Sequence, residues 1–522
     1  MGERRPDGRA AREFRRFIPP ARFADPGRYE RDAGIFSLTP TAVIRATDED
    51  QISSILRTSA RLGLPVVARA GGSNTGGAAI TDGTMLLLDG EEFSDIEIDE
   101  ARGRLRCGAA VRHDQLQRAF ERFGFHLPSD PSSGPFSRLG GNINTRASGP
   151  HALRHGAINR YIREIRFITA QGAIIDTRRP ADVPRGIVVA LSKLAGKLAA
   201  DASVKARLEA RRDGKWASGY ELLALIDHAD DPVRALPRLM TGSVGTLGIV
   251  TEAEIEGRRR DEGRAAVLLR FEHDRDACAA ALVLRDDAQA VEMVSSTTLE
   301  LLREHAPALC GEDDGSLLIV EYSGCDAAAR AQEAVNRLPS GSGVRTRRIA
   351  TSERQIAAVW RERKALLPMV RRLTGTIGVP YSVVNDVGID VSLLPQLLEG
   401  AERIFAGHRL PAAVYGHAGS GNLHLRPFFA PADARTVAAV AEEIYALVTD
   451  LHGTITAEHG MGRLRAPFLE LEWGSDIVSA MRDLKGIFDP DDILNPGVLF
   501  VPGSHRFRTD GWPTSPSLSG SG

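Results

Sequence analysis

The chain has 522 residues, 43% hydrophobic and 26% charged, an ordinary soluble globular balance with enough length for a sizeable core and two or three domains. Its 66 Lys and Arg against 68 Asp and Glu leave a net charge of −2, so no global field draws nucleic acid or an acidic membrane. Cys107, Cys278, Cys310 and Cys325 include no C-x-x-C pair, which argues against a zinc ribbon, a dithiol redox site or an iron–sulfur cluster built by this chain alone, and fits a reducing, cytoplasmic setting.

Residues 1–37 open with MGERRPDGRAAREFRRF, basic but without an apolar core behind it. They read as an exposed helix or frayed arm rather than a secretory signal. In TAVIRATDEDQISSILRTSARLGLP a strand holds Val43 and Ile44, Thr47 is the expected N-cap, and Ile52, Ile55, Leu56 and Leu62 follow helical spacing up to Gly63 and Pro65. PVVARA and TMLLLD are further strands around a glycine-rich loop, and short strands continue through Leu105 and Ile165 to Ile168. The expected class is α+β with mixed sheets, not a clean Rossmann array. A charged, helix-rich stretch at about 178–239 looks inserted before GSVGTLGIVTEAEI. After Gly257-Arg258-Arg259-Arg260, strands such as AAVLLRF and SLLIVEY alternate with helices to about Arg426, as in a second α+β domain. Val437, Val440, Ile444, Leu447, Val448 and Leu451 form one helical stripe, and SDIVSAMRDLKGIFDP is another helix. No run of about 18 apolar residues marks a transmembrane helix. The expected units are an arm at 1–37, a domain at 38–257, a second at 258–470, a closing segment at 471–501 and a disordered tail at 502–522, rich in Ser, Gly and Pro.

Three stretches suit close backbone approach to a large ligand. In Arg69-Ala70-Gly71-Gly72-Ser73-Asn74-Thr75-Gly76-Gly77, glycines free the backbone N–H groups to meet phosphate. The loop is neither a G-x-G-x-x-G fingerprint nor a P-loop. The second stretch contributes Pro128, Asp130, Pro131 and Ser132, then Gly140, Gly141, Asn142, Thr145 and Gly149; the third contributes Gly245, Gly248, Ile249 and Val250. The densest chemistry lies in Tyr415-Gly416-His417-Ala418-Gly419-Ser420-Gly421-Asn422-Leu423-His424-Leu425-Arg426. If residues 422–426 are a strand, Asn422, His424 and Arg426 share one face. With Glu458, His417 and His424 make a sensible donor set for Zn²⁺ or a similar divalent ion, leaving positions open for substrate.

In order and spacing, these stretches and the closing Asp489-Pro490-Asp491-Asp492-Ile493-Leu494-Asn495-Pro496-Gly497 resemble the vanillyl-alcohol-oxidase and p-cresol-methylhydroxylase superfamily over about residues 38–500. The likeness is to the branch of D-lactate dehydrogenase, D-2-hydroxyglutarate dehydrogenase and the glycolate oxidase flavin subunit. It implies an FAD-binding domain of the p-cresol-methylhydroxylase type, a cap domain carrying the metal site, and a C-terminal segment returning to the flavin. It also implies that residues 69–77 hold the FAD pyrophosphate, that residues 128–149 line the flavin, and that Asn495 belongs to the closing contact. Ser73 stands where some members carry a flavin-tethering histidine, so the FAD is expected to be non-covalent. The resemblance assigns His417, His424 and Glu458 to metal, His459 to the general base, Asn422 to substrate, and Arg363, in Trp360-Arg361-Glu362-Arg363, to the substrate carboxylate, with Arg426 as a second cation. Ala70, Val244 and Ser420 depart from the family pattern. Leu367 and Val384 stand where the 2-hydroxyglutarate enzymes bind a distal carboxylate, which favours a monocarboxylate or an acid with an apolar or unusual tail. The implied reaction is oxidation of a D-2-hydroxy acid to the 2-keto acid: the metal acidifies the hydroxyl, His459 takes its proton, and the C2 hydrogen passes as hydride to flavin N5. Electrons then pass to an external acceptor (an iron–sulfur protein, electron-transfer flavoprotein, quinone or cytochrome), which would place the protein peripherally at a membrane if the acceptor is there; a homodimer is compatible with the sequence. Competing readings are an O₂-using FAD oxidase of sugar acids or alcohols, a non-catalytic flavin subunit, and a flavin-dependent transferase.

Overall fold

The computed structural model describes residues 12–310, 314–431 and 433–501. The expected tail and the first eleven residues lie outside them. Strand β1 (Phe23–Ala24) pairs antiparallel with β2 (Ala42–Ala46). Helix α1 (Glu49–Leu62) follows, then β3 (Val66–Ala68) and β4 (Thr84–Leu88), which extend the sheet in parallel in the order β1-β2-β4-β3. Asp48 rather than Thr47 caps α1: its backbone is extended and its carboxylate accepts from Gln51 N, while Thr47 donates its hydroxyl to Asp48. Gly63 ends α1 in the left-handed region at φ 63°.

Part of the stretch expected as an exposed arm belongs instead to this core. Phe14 and Ile18 are fully buried against Ile44, Ile52 and Leu86. Two apolar residues four apart give a short helix one sticky face, and the open face of the sheet covers it.

A five-stranded antiparallel sheet comes next, built from β5 (Ile96–Asp99) and β6 (Arg104–Gly108), then, after β7 (Phe125–His126) and helix α2 (Leu139–Thr145), from β8 (Ile162–Ile168), β9 (Ile174–Asp176) and β10 (Ile249–Glu256), in the order β5-β6-β10-β8-β9. The segment between β9 and β10 is the helical insertion. Its main helix α3 (Arg185–Ala200) buries Leu191, Leu194 and Leu198. Strand β11 (Arg258–Arg259) pairs with β7 where the chain leaves this unit.

The second unit is a seven-stranded antiparallel sheet. Its strands are β12 (Arg264–Phe271), β13 (Ala290–Val294), β14 (Ser316–Ser323), β15 (Val344–Ala350), β16 (Val387–Gly388), β17 (Ala412–His417) and β18 (Asn422–Pro427), in the order β15-β12-β14-β13-β17-β18-β16. Helix α4 (Glu353–Lys364), between β15 and β16, carries Arg363. After β18, helix α5 (Ala434–Asp450) lays Val437, Val440, Ile444 and Val448 into the core. After α5 the chain makes a bridge at Thr454, whose N and O both bond Gly388. Helix α6 (Leu469–Phe488), broken at Gly474, returns to the first unit and shares a core with α3. Past it, Leu494 lies parallel to Val66, with Val66 N donating to Ile493 O at 2.7 Å and Asn495 N to Val66 O at 2.9 Å. No helix among the described residues is long and apolar enough to cross a membrane.

Truncating Phe14 to alanine removes a fully buried ring and is expected to cost about 3 kcal/mol, read as a lower thermal midpoint. An exposed arm would leave the midpoint unmoved.

Candidate active site

A single cavity runs between the two units. It is lined on one side by Arg69, Ala70, Gly71, Gly72, Ser73, Asn74, Pro131, Ser132, Gly140, Gly141, Asn142, Thr145, Gly149, Gly245, Val250 and Asn495, and on the other by Arg363, Tyr415, His417, His424, Arg426, Glu458 and His459. Residues far apart in sequence and singled out for different chemistry thus share one space. Six expected site residues are not on its wall. Gly77 packs on Phe36, Gly248 on Phe167, and Ile249 lies in the core at the start of β10. Asp130 is turned to His151, and Pro128 precedes it outside the cavity. Asn422, discussed below, is the sixth.

The first wall is held by side chains that bond backbone. Asn74 Oδ1 accepts from Gly76 N (2.8 Å) and Ala78 N (3.0 Å), which fixes the loop, and its Nδ2 donates to His459 O at 3.1 Å. Asn495 Nδ2 donates to Ala78 O and Val244 O. Val244 holds φ 47°, a left-handed conformation that strains a β-branched residue, and the Asn495 bond pins its carbonyl there. At Gly245, φ 74°, a Cβ would stand no closer than 3.9 Å to any neighbour, between the Asn144 and Asn495 amides. Absent side chains, exposed amides and a glycine loop fit a large planar ligand with a pyrophosphate.

The second wall gathers imidazoles around one oxygen. Glu458 Oε1 lies 3.3 Å from His417 Nε2, 3.6 Å from His424 Nε2 and 3.6 Å from His459 Nε2. A tetrahedral ion with bonds of about 2.1 Å sets its donors roughly 3.4 Å apart, which these oxygen-to-nitrogen distances match; the donor atoms that all lie within 4.8 Å of one another belong to Asp386, His424, Glu458 and His459, with His417 at the edge of that group. The far nitrogens point the near ones inward. His417 Nδ1 faces Glu292 Oε1 at 2.7 Å and His424 Nδ1 faces Asn385 O at 2.6 Å, leaving both Nε2 lone pairs on the cavity side. Burial raises the Glu458 pKa, but Lys215, His417 and His424 outweigh it and hold the carboxyl well below its usual range. Burial drives His424 well down, only partly offset by Glu458, so the ring is neutral and able to coordinate. At His417 burial also lowers the pKa, and Glu292 turns the net shift upward.

Asp386 lies near this cluster but does not act as a donor to it. Its Oδ2 already accepts from Thr456 Oγ1 (2.6 Å) and from the backbone N–H of Ala457 (3.1 Å), Glu458 (3.1 Å) and His459 (2.8 Å), and its Oδ1 from Asn422 Nδ2 (3.2 Å). It shapes the loop that presents Glu458 and His459. Arg465, a donor only, faces Asn385 Oδ1 at 3.1 Å, which turns the Asn385 amide nitrogen to His459 Nδ1 at 3.2 Å. Neutral His459 therefore carries its proton on Nε2 in this arrangement.

The β18 alternation holds, with His424 and Arg426 on the cavity wall and Leu423 and Leu425 in the core. Asn422 shares their face but is sealed in: its amide donates to Asp386 and Val387 O and its oxygen accepts from Lys215. Glu292, fully buried on β13, joins the His417 ring to Arg363, whose Nη2 lies 2.5 Å from Glu292 Oε2. Sequence reading assigned no site role to Glu292, Asn385, Asp386 or Lys215. A second charged cluster, His151 between Asp130 (2.9 Å) and Glu321 (3.2 Å), links the two units beside the cavity.

The match to known proteins agrees with this geometry. Residues 40–178 match the FAD binding domain family, and residues 260–499 match the C-terminal domain of FAD linked oxidases. The chain belongs to the FAD-linked oxidases, with the fold of the p-cresol-methylhydroxylase and vanillyl-alcohol-oxidase superfamily. It is 28% identical to glycolate oxidase subunit GlcD of Bacillus subtilis over 478 residues, 90% of each chain. It is 26% identical over 514 residues to D-2-hydroxyglutarate dehydrogenase of Escherichia coli, covering 92% of this chain and 50% of that one. The solved structure of p-cresol methylhydroxylase with substrate bound superposes with a TM-score of 0.67 at 13% identity, over 96% of this chain and 98% of that one.

The His151 cluster makes stability depend on pH. Burial lowers its pKa, but Asp130 and Glu321 outweigh that and raise it to about 10. Its contribution is therefore complete below its ordinary value near 6.5 and is lost as pH rises through about 10. His151→Gln should lower the thermal midpoint at pH 7 by about 2–4 °C, and the gap to the unaltered protein should close above pH 10.

Proposed function

We propose that the protein is an FAD-dependent 2-hydroxy-acid dehydrogenase that oxidises a D-2-hydroxy acid to its 2-keto acid and passes the electrons to an external acceptor. The observation that carries this is the single cavity joining the FAD-binding loops to the His417, His424 and Glu458 cluster. Bound FAD supplies the electron sink and a bound divalent ion, zinc by its donor set, supplies the electrophile. Two relatives have names that specify glycolate and D-2-hydroxyglutarate, both 2-hydroxy acids, which favours this substrate class and the D configuration.

The chain's own residues then divide the work. His417, His424 and Glu458 hold the ion. Arg363 lies on the cavity with its Nη2 paired to Glu292 and its buried Nε without a hydrogen-bond partner, a donor that a substrate carboxylate would satisfy. Arg426 is 2% exposed on the same wall and, among the described residues, bonds the neutral hydroxyls of Tyr415 and Ser382 and no carboxylate. A buried cation without a counter-charge favours an anionic ligand. His459 takes the hydroxyl proton at Nε2. For that, its own proton must first move to Nδ1, which displaces the Asn385 amide donor that faces Nδ1 at 3.2 Å. Ser73 offers no ring nitrogen for a covalent tether, so the FAD is held by contacts alone.

The test is anaerobic mixing of the purified flavoprotein with D- and L-2-hydroxy acids while the flavin absorbance is followed. A D-acid should bleach the band, prior chelation should prevent it, and a divalent ion should restore it. Acid precipitation should release the flavin into the supernatant. A bound flavin that no hydroxy acid reduces would sink the proposal. Arg363→Gln and Arg426→Gln should each raise KM about 30-fold, ~2 kcal/mol, with FAD content unchanged.

A further inference from the structure

Lys215 comes from the helical insertion, yet it ends inside the candidate metal centre. Its side chain is 6% exposed. Its Nζ lies 2.8 Å from Glu458 Oε2 and 2.9 Å from Asn422 Oδ1. These contacts cross 243 and 207 residues of sequence. Glu458 thus has two oxygens in two different environments: Oε1 faces three imidazole nitrogens, and Oε2 faces the ammonium and Ser148 Oγ at 3.2 Å.

We propose that Lys215 is a positioning residue of the metal centre, holding Glu458 Oε2 so that Oε1 is presented to the nitrogens of His417 and His424. The inference rests on the metal-assisted reading above and adds a residue outside the Gly-rich and histidine motifs. The physical reason is rotation. A glutamate side chain has three rotatable bonds, and a carboxylate with two equivalent oxygens can offer either one, or both, to an ion. An ammonium at hydrogen-bond distance from one oxygen removes that choice and leaves a single donor on the cavity side. Asn422 completes the clamp. Its amide is fixed by Asp386 and Val387 O, so its oxygen gives Lys215 a second rigid contact and the ammonium cannot swing away. The sealed position of Asn422 has a use in this arrangement: it supports Lys215 rather than substrate.

The bland alternative is that Lys215 only staples the insertion to the second unit. Arg211, four residues earlier, does that independently: its Nη2 donates to Gly453 O at 2.8 Å and its Nη1 lies 3.4 Å from Glu472 Oε1, away from the metal centre. The experiment measures the dissociation constant of Zn²⁺ by competition with a chromogenic chelator, on FAD-loaded full-length protein, for Lys215→Met, Lys215→Arg and Arg211→Gln. Flavin content and circular dichroism establish that each variant is folded. If Lys215→Met does not load FAD, Lys215→Gln, which keeps one amide donor, takes its place. The expected result is a 10- to 100-fold weaker Zn²⁺ for Lys215→Met or Lys215→Gln, a smaller loss for Lys215→Arg, and an unchanged constant for Arg211→Gln, even where its thermal midpoint falls. An unchanged constant on removing the ammonium, or an equal loss for Arg211→Gln, overturns the positioning role and leaves a staple. Unaltered protein that binds no Zn²⁺ and still reduces its flavin with a hydroxy acid overturns the metal reading and this inference together, while leaving the oxidation itself standing.

Discussion

The loop that presents Glu458 and His459 on the second wall of the cavity depends on one buried carboxylate. Asp386 is fully buried, and without partners its charge would be costly enough to force protonation or unfolding. It is satisfied by three consecutive backbone N–H groups and a hydroxyl, all from residues 456–459. The same bonds that solvate the charge curl this segment so that Glu458 and His459 face one way. The side chains of the site are thus placed by a backbone constraint. Its anchor is on the opposite side of helix α5 in the chain, in a turn beside β16.

Around that anchor the polar groups form a connected set. Asp386 holds Asn422, Asn422 holds Lys215, Lys215 holds Glu458, and Glu458 faces the three histidines. On the other side Glu292 joins His417 to Arg363. A chain of this kind in a dry interior is stiff, because losing one member leaves a neighbour buried without a partner. Preorganisation suits a site that must bring a metal, a flavin and a small acid into register with little help from substrate size.

How much of this was legible beforehand follows from where the information lies. The glycine loop at 69–77 and the His417 to Arg426 run could be read because their chemistry is contiguous, and strand alternation placed His424 and Arg426 on one wall correctly. The same alternation could not tell that Asn422, two residues earlier, is covered by Lys215, since a face has a period but no lid. Gly77 falls in the expected phosphate loop and Gly248 in the third ligand-facing stretch, yet they make room for Phe36 and Phe167. Phe14 and Ile18 were hidden by the arginines around them, which snorkel to solvent while the apolar pair is buried. Lys215, Glu292 and Asp386 had no local signal at all. Their roles exist only through partners more than 35 residues away.

The parallel pairing of Leu494 with Val66 has a bearing on biosynthesis. The edge of the first sheet at Val66 and the loop at Ala78 are completed by Leu494 and Asn495, translated more than 400 positions later, and Asn495 also holds Val244, 251 positions before it. A nascent chain that has emerged only as far as the first unit has most of its strands but not its nucleotide-facing rim. Chains fold domain by domain from the N-terminus during synthesis, so here the earliest unit to collapse is the last to become able to take up its cofactor. Completion of that rim thereby waits until residues 494 and 495 have been made.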